Sequence, residues 1–265
     1  NFSLADTVLF KVNSGVATIT LNRPDSLNAI DHTLAHDLRE ATLQAEMNQD
    51  VRCVAISGSG PAFMAGGDIR AFKERLGKEL DRYMIDVTHD LHDAIMAIRR
   101  MPKPVVASVH GAAAGAGVSL AMACDLIIAT EDAVFTLAYS VIGASPDGSS
   151  TYSLPRLIGY HRAMELMLLS DRFGVERAQE LGLINFAVAK DELESETKKL
   201  TERLASGPTF AYGKAKALLG KSLERGIGDQ LDAEAQHIME CSRTADFAEG
   251  ITAFLEKRKP TFIGS

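Results

Sequence analysis

The chain has 265 residues, 46 % of them hydrophobic and 24 % charged, with a formal net charge of −7. That length and apolar content suit a large buried core, either one big domain or a domain with an appendage. The acidic balance argues against a general attraction to nucleic acid or anionic membrane, and no apolar run reaches the roughly 18 residues of a spanning helix.

Val8 to Val12 and Val16 to Leu21 alternate around Asn13-Ser14-Gly15 and predict a β-hairpin. Asp31 opens a helix with apolar positions at Leu34, Leu38, Ala41, Leu43 and Ala45. Val51 to Ser57 reads as a buried strand, followed by a Gly58-Ser59-Gly60-Pro61 loop. Asp68 caps the next helical stretch, Ile69 to Arg100, which is amphipathic in its second half through Val87, Leu91, Ile95 and Ile98. Its charged, Gly77-containing part around Arg75 to Arg82 is expected to be mobile, and Pro102 and Pro104 end the helix.

Strand Val105 to Val109, a helix from Ala116 to Ala123, strand Leu126 to Ala129 and the short strand Val134 to Thr136 follow. Pro146 to Ser150 is a turn into a helix reaching Leu157. Helices over His161 to Ser170 and Val175 to Leu181 and a strand over Ile184 to Val188 come next, and the pattern from Asp191 onward reads as wholly helical. By pattern alone this is an α/β section followed by an α section. We place the core at residues 1–190 and a C-terminal helical region at 191–265.

Two small-residue turns carry the most information: Phe63-Met64-Ala65-Gly66-Gly67-Asp68-Ile69, and the run from Gly111 to Ser119. Each follows an apolar β-branched run and leads into a helical pattern. Small residues let a ligand approach the backbone, and the first N–H groups of a helix have no internal partner. Two such turns suit the aiming of two amides at one oxygen, the geometry of an oxyanion hole; either alone also reads as an ordinary strand-to-helix turn.

The turns fall within a wider set: Leu21-Asn22-Arg23-Pro24, Leu27-Asn28-Ala29, Lys103-Pro104-Val105, His110-Gly111, Leu120-Ala121-Met122-Ala123-Cys124-Asp125, and Ala253-Phe254-Leu255-Glu256-Lys257-Arg258. In order and spacing, over nearly the whole chain, these segments resemble the enoyl-CoA hydratase/isomerase (crotonase) superfamily. The resemblance implies an α/β fold, a crotonase-type ββα spiral core with a C-terminal helical trimerisation region. It also implies an acyl-CoA thioester as substrate, a homotrimer or a dimer of trimers, and no cofactor beyond the coenzyme A that is part of the substrate.

By position, the resemblance assigns the oxyanion donors to the amides of Gly67 and Ala116, the latter standing where many members have glycine. It places the CoA arm around Ser26, Leu27, Ala29, Ala65, Asp68 and Ile69, with Phe254 and Lys257 reaching it from a neighbouring subunit. Asp68 is equally a plain helix cap, and Phe254 and Lys257 equally one face of an amphipathic helix. The acyl pocket falls between Ile69 and His92.

Hydratases of the family use two glutamates to hold and activate water; at those positions this chain has Ser119 and Tyr139. Hydroxyls of ordinary pKa are poor bases near neutral pH, so hydration is expected to be weak or absent. Asp147 remains as the acidic group. From local sequence alone it is a turn or capping aspartate, but Pro146-Asp147 followed by Leu154-Pro155-Arg156-Leu157-Ile158-Gly159 looks like the 1,2-epoxyphenylacetyl-CoA isomerase branch, whose matching aspartate is the acid/base. A carboxylate at a helix start also tends to stay ionised.

An enoyl-CoA isomerase is therefore the leading expectation. A 4-chlorobenzoyl-CoA dehalogenase-like hydrolase is the second, because Asp147 matches its nucleophile, His92 its base and Tyr139 its active-site tryptophan, although Leu91 and Gly67 stand where it has aromatic residues. A weak hydratase and a non-catalytic acyl-CoA-binding protein complete the set. For His92 the plainer alternative is a helix-flank histidine beside Leu91 and Ile95.

Cys53, Cys124 and Cys241 are odd in number and widely spaced, with no CxxC or Cys/His pattern, so no metal site is expected. Apolar surroundings mark them as buried thiols of a reducing compartment, here the cytoplasm. The N-terminus shows no charged-then-apolar signal pattern, and the start at Asn1 leaves an upstream segment open.

Overall fold

The computed structural model describes residues 6–265; the first five residues of the expected core lie outside the described part. The hairpin forms as predicted, with β1 (Val8–Asn13) and β2 (Val16–Leu21) pairing antiparallel. β3 (Cys53–Gly58), β4 (Val105–Val109), β6 (Leu126–Thr130) and β9 (Phe186–Val188) then add in parallel, giving one sheet in the order β1-β2-β3-β4-β6-β9. All five residues of β4 are buried, which is why its sequence runs apolar without alternation, as expected of a strand covered on both faces.

A second wall is built from the segment that follows each sheet strand. Ile30 bridges Gly67, Met64 bridges Ala113, and β5 (Ala112–Ala114) pairs in parallel with β7 (Val134–Thr136), which is joined antiparallel by β8 (Phe173–Gly174). Each circuit of the chain thus lays one strand in the large sheet, one short extended piece in the second wall, and then a helix: the ββα spiral.

Helix α1 (His32–Met47) is capped by the Asp31 carboxylate, which accepts the Leu34 N–H at 2.9 Å. The next helical stretch divides at 74–79 into α2 (Ile69–Lys73) and α3 (Leu80–Arg100). Gly77 at φ +72° and Glu79 at φ +43° make that division a tight turn. α3 packs its Val87, Leu91, Ala94, Ile95 and Ile98 face into the main core. α4 (Ala116–Ala123) is buried all round and is correspondingly apolar on every face.

Three expectations are corrected. The run from Gly111 to Gly115 is not a turn alone: it holds β5, whose short alanines suit the crowded second wall. The expected strands at 51 and 184 begin two residues later. The tail is not helical to its end. α8 (Leu193–Ala205), α9 (Thr209–Lys221), α10 (Ile227–Cys241) and α11 (Ala245–Leu255) are followed by an extended segment, tied back where the Asp246 carboxylate accepts the N–H groups of Ile263 (2.7 Å) and Gly264 (2.8 Å).

α8, the first long helix past residue 190, lies on the large sheet through a small core of Cys53, Val106, Ile128, Leu193 and Ala205. Between β7 and β9 stand α5 (Ser150–Ile158), α6 (Tyr160–Leu169) and α7 (Val175–Glu180), close to their predicted spans. All three cysteines are free and buried. Burial pushes the Cys53 thiol up to about 12 and raises that of Cys124 as well, so neither is a thiolate near neutrality.

Candidate active site

The two information-rich turns are neighbours. Met64 sits between β5 residues, its N–H donating to Ala112 O (3.1 Å) and its carbonyl accepting from Ala114 N–H (2.9 Å). From that parallel bridge, Gly67 and Ala116 lie three residues onward on adjacent segments. Neighbouring extended segments run about 4.8 Å apart. The approach is close enough that a methyl group on Gly117 would fall 2.3 Å from the Met64 carbonyl oxygen. Among the described residues neither the Gly67 nor the Ala116 amide meets a backbone carbonyl. For Ala116 this follows from its place as the first residue of α4.

The segment 26–30 runs beside the first turn. Ala65 N–H donates to Leu27 O (3.0 Å), Ile30 N–H to Gly66 O (2.7 Å) and Asp68 N–H to Ile30 O (2.9 Å). Asn28 makes this possible. Wholly buried at φ +56°, it accepts Arg23 N–H (2.8 Å) and donates to the carbonyls of Ser59 (2.9 Å), Ala62 (2.8 Å) and Phe63 (3.2 Å). Asparagine tolerates the left-handed region, and its side-chain amide satisfies a loop that has no strand partner.

Ser26, Leu27, Ala29, Ala65, Asp68 and Ile69 therefore gather at one edge. Ser26 and Asp68 line a polar cleft of ≈ 370 Å³ with Arg23, His32, Arg70, Arg75 and Tyr83. The Asp68 side chain is the cap of α2, accepting the N–H groups of Arg70 (3.1 Å) and Ala71 (3.2 Å), and it pairs with Arg23 at 3.0 Å. Burial opposes its ionisation, but these donors outweigh burial and hold the carboxyl below the usual range.

Over Gly67 lies the Phe72 ring, which a methyl group at 67 would meet at 2.7 Å. Phe72 packs edge-on to Tyr83, with ring centroids 6.2 Å apart, and the Arg75 guanidinium covers the other ring at 4.1 Å. Phe72 and Tyr83 fall in the expected pocket stretch, but periodicity does not single them out from core aromatics.

On the other side of α4, Ser119, Tyr139 and Asp147 meet. Tyr139 O–H donates to Asp147 Oδ1 at 2.8 Å, and Ser119 Oγ is 3.1 Å from the same phenol oxygen. Burial, then the charge of Asp147, raises the Tyr139 phenol, so it stays protonated. The helix-start argument for Asp147 is corrected. α5 begins at Ser150 after Ser149, which supplies no side-chain capping bond. The Asp147 carboxylate is bonded by Tyr139 instead, while its carbonyl accepts Ser150 N–H (3.2 Å) and Oγ–H (3.0 Å).

His92 is an exposed residue of α3 whose Nε2 accepts the Gly148 N–H at 3.2 Å. From the flank of α3 it reaches the Asp147 turn. Phe254 and Lys257 stand at the end of α11 and just beyond it; Phe254 lines an apolar groove with Phe210, Phe247 and Phe262. Among the described residues no cluster of His, Cys, Asp or Glu suited to a metal occurs.

The sequence matches the family model described as Enoyl-CoA hydratase/isomerase over residues 11–265. It is 36 % identical over 262 residues to the 1,2-epoxyphenylacetyl-CoA isomerase of Escherichia coli K12, covering 98 % of this chain and 100 % of that one. It is 30 % identical to a 4-chlorobenzoyl coenzyme A dehalogenase of Arthrobacter, over 92 % of this chain and 88 % of that one. Its fold superposes on the crystal structure of an enoyl-CoA hydratase from Polaromonas sp. JS666 with a TM-score of 0.91 at 34 % identity, covering 96 % of this chain and 99 % of the other. Spiral topology, full-length identity and the motif order agree: the chain belongs to the enoyl-CoA hydratase/isomerase family of acyl-CoA enzymes.

Proposed function

We propose that the protein is an enoyl-CoA isomerase that moves a double bond by proton transfer through an enolate. The observation that carries this reading is the Asp147 carboxylate, held by Tyr139 O–H at 2.8 Å beside α4, whose first amide meets no backbone carbonyl among the described residues. In this reading the Gly67 and Ala116 amides bind the thioester oxygen as it becomes negative. Asp147 takes a proton from the α-carbon and returns one at the γ-carbon, or the reverse. The CoA arm lies over the 26–30 and 65–69 segments, with the cleft arginines available to its phosphates. Phe254 and Lys257 contact it from the next subunit of a homotrimer.

Hydration needs a second group to hold water. Ser119 and Tyr139 instead bond to one another and to Asp147, so crotonyl-CoA is expected to be hydrated slowly or not at all. The dehalogenase reading keeps a place because His92 does reach the Asp147 turn, and a relative bears that name. Against it, Nε2 is occupied by Gly148 N–H.

A panel of thioesters decides: 3-enoyl-CoA, crotonyl-CoA and 4-chlorobenzoyl-CoA, followed by absorbance, mass and chloride release. Turnover is expected on the 3-enoyl ester, with Asp147→Asn lowering kcat by about 10²–10⁴-fold, the range of a lost general base, while ester affinity holds. Chloride release in place of isomerisation, or unchanged turnover in Asp147→Asn, overturns the reading.

A further inference from the structure

The hydroxyls at 119 and 139 are more than replacements for missing acids. Ser119 is wholly buried and Tyr139 nearly so. An ionised carboxylate only accepts, so the Tyr139 proton is committed to Asp147 Oδ1 at 2.8 Å. The phenol oxygen is then an acceptor for the Ser119 hydroxyl 3.1 Å away. Ser119 Oγ also lies 3.3 Å from the carbonyls of Gly115 and Asp147, and the phenol oxygen is its nearest acceptor, so the shortest bonds run one way: Ser119 O–H to Tyr139 O, and Tyr139 O–H to Asp147 Oδ1. Donors in series polarise each other in a dry setting.

Two backbone contacts clamp the turn onto this chain. Gly148, at φ +60°, lies so close to α4 that a methyl group there would sit 2.7 Å from Ser119 Cβ. From α3, His92 Nε2 takes the Gly148 N–H. The groups facing Asp147 are thus Tyr139 before it, Ser119 on α4, Ser150 after it and His92 on α3. His92 is the other ionisable side chain at the turn, and among the described residues no Lys or Arg forms an ion pair with Asp147.

We propose that Ser119 and Tyr139 are positioning residues forming a one-way donor chain that ties down Asp147 Oδ1 and reserves Oδ2 for the substrate proton. The role of Oδ2 rests on the isomerase reading; the donor chain does not. A donor to the charged form lowers its proton affinity, so removing it lets Asp147 hold its proton to higher pH.

The test is a carbon-13 NMR titration of full-length protein labelled at aspartate Cγ, with the Asp147 signal assigned by Asp147→Asn. Tyr139→Phe is expected to raise the Asp147 midpoint by about one pH unit, the size of one charge-assisted bond. Ser119→Ala is expected to raise it by less, and to add nothing in the Tyr139→Phe background, because its effect travels through the phenol. The acid limb of kcat/KM on 3-enoyl-CoA should move upward in step, with KM nearly constant; a merely structural role would leave that limb in place.

An unmoved or lowered midpoint in folded Tyr139→Phe overturns the chain. If that variant does not fold, an unmoved midpoint in Ser119→Ala does so, since removing one hydroxyl leaves the packing of α4 intact. Absence of any turnover with the midpoints shifted as stated sinks the isomerase reading and leaves the donor chain standing.

Discussion

At the scale of the residue, family-like motifs and chemistry separate. Lys103 belongs to one of the recognisable segments, yet its ammonium is buried and donates to the carbonyls of Ala45 (2.8 Å), Glu46 (3.0 Å) and Asn48 (2.6 Å), the unsatisfied end of α1. Burial lowers its proton affinity, and the three carbonyls justify the charge. Lys103→Met should therefore lower unfolding free energy by about 1–3 kcal/mol, the cost of orphaned buried acceptors. Urea denaturation read by circular dichroism measures this, and an unchanged midpoint would contradict the role. Asn28 and Asp68 likewise spend their polar atoms on loop and helix ends, so their place beside the candidate site is first a matter of architecture.

At the scale of the element, α4 is the part that matters most for the proposed chemistry. It is eight residues long, buried on all sides, and starts at the amide proposed to bind the thioester oxygen. Proline is tolerated at a first helical position because that N–H makes no intrahelical bond. Ala116→Pro thus removes the donor while keeping the helix. The expected result is a loss of about 10²–10³-fold in kcat with a thermal unfolding midpoint close to the parent's. Retained turnover would remove Ala116 from the oxyanion hole.

The periodicity of α1, α3 and β2 was plain in the sequence, since one face is core and the other is not, while β3, β4 and β6 showed as short apolar runs because they are buried on both faces. β5 was not plain: Ala112–Ala114 has neither alternation nor β-branched residues. It is a strand because β7 and the Met64 bridge supply its hydrogen bonds.

At the scale of the molecule, two cations staple the tail to the core. Arg52 donates to Thr209 Oγ1 (3.0 Å) and to the carbonyls of Gly207 and Phe262, and Lys216 reaches Asp125 (2.7 Å) and Ile98 O (2.6 Å). Yet the tail leaves Ile227 77 %, Leu255 74 % and Phe254 82 % exposed. Apolar exposure of this extent is what the proposed homotrimer or dimer of trimers would cover. Light scattering after size exclusion should give three times the chain mass, or six times for stacked trimers; a monomer at micromolar concentration would refute the proposed assembly and the role of Phe254 and Lys257 across subunits.

The sequence by itself determined the strands of the large sheet, most of the helices, the family, and the two glycine-rich turns, because each is written in local signals: period, β-branching, small residues after a strand, and motif order. It also marked Asp147, though with the wrong local support. Only the tertiary structure decided what holds that carboxylate. Residues 92, 119, 139 and 147 come from three segments, α3, α4 and the connection from β7 to α5, and the hydrogen bonds that join them depend on how tightly Gly148 closes against α4, a distance that no spacing along the chain encodes.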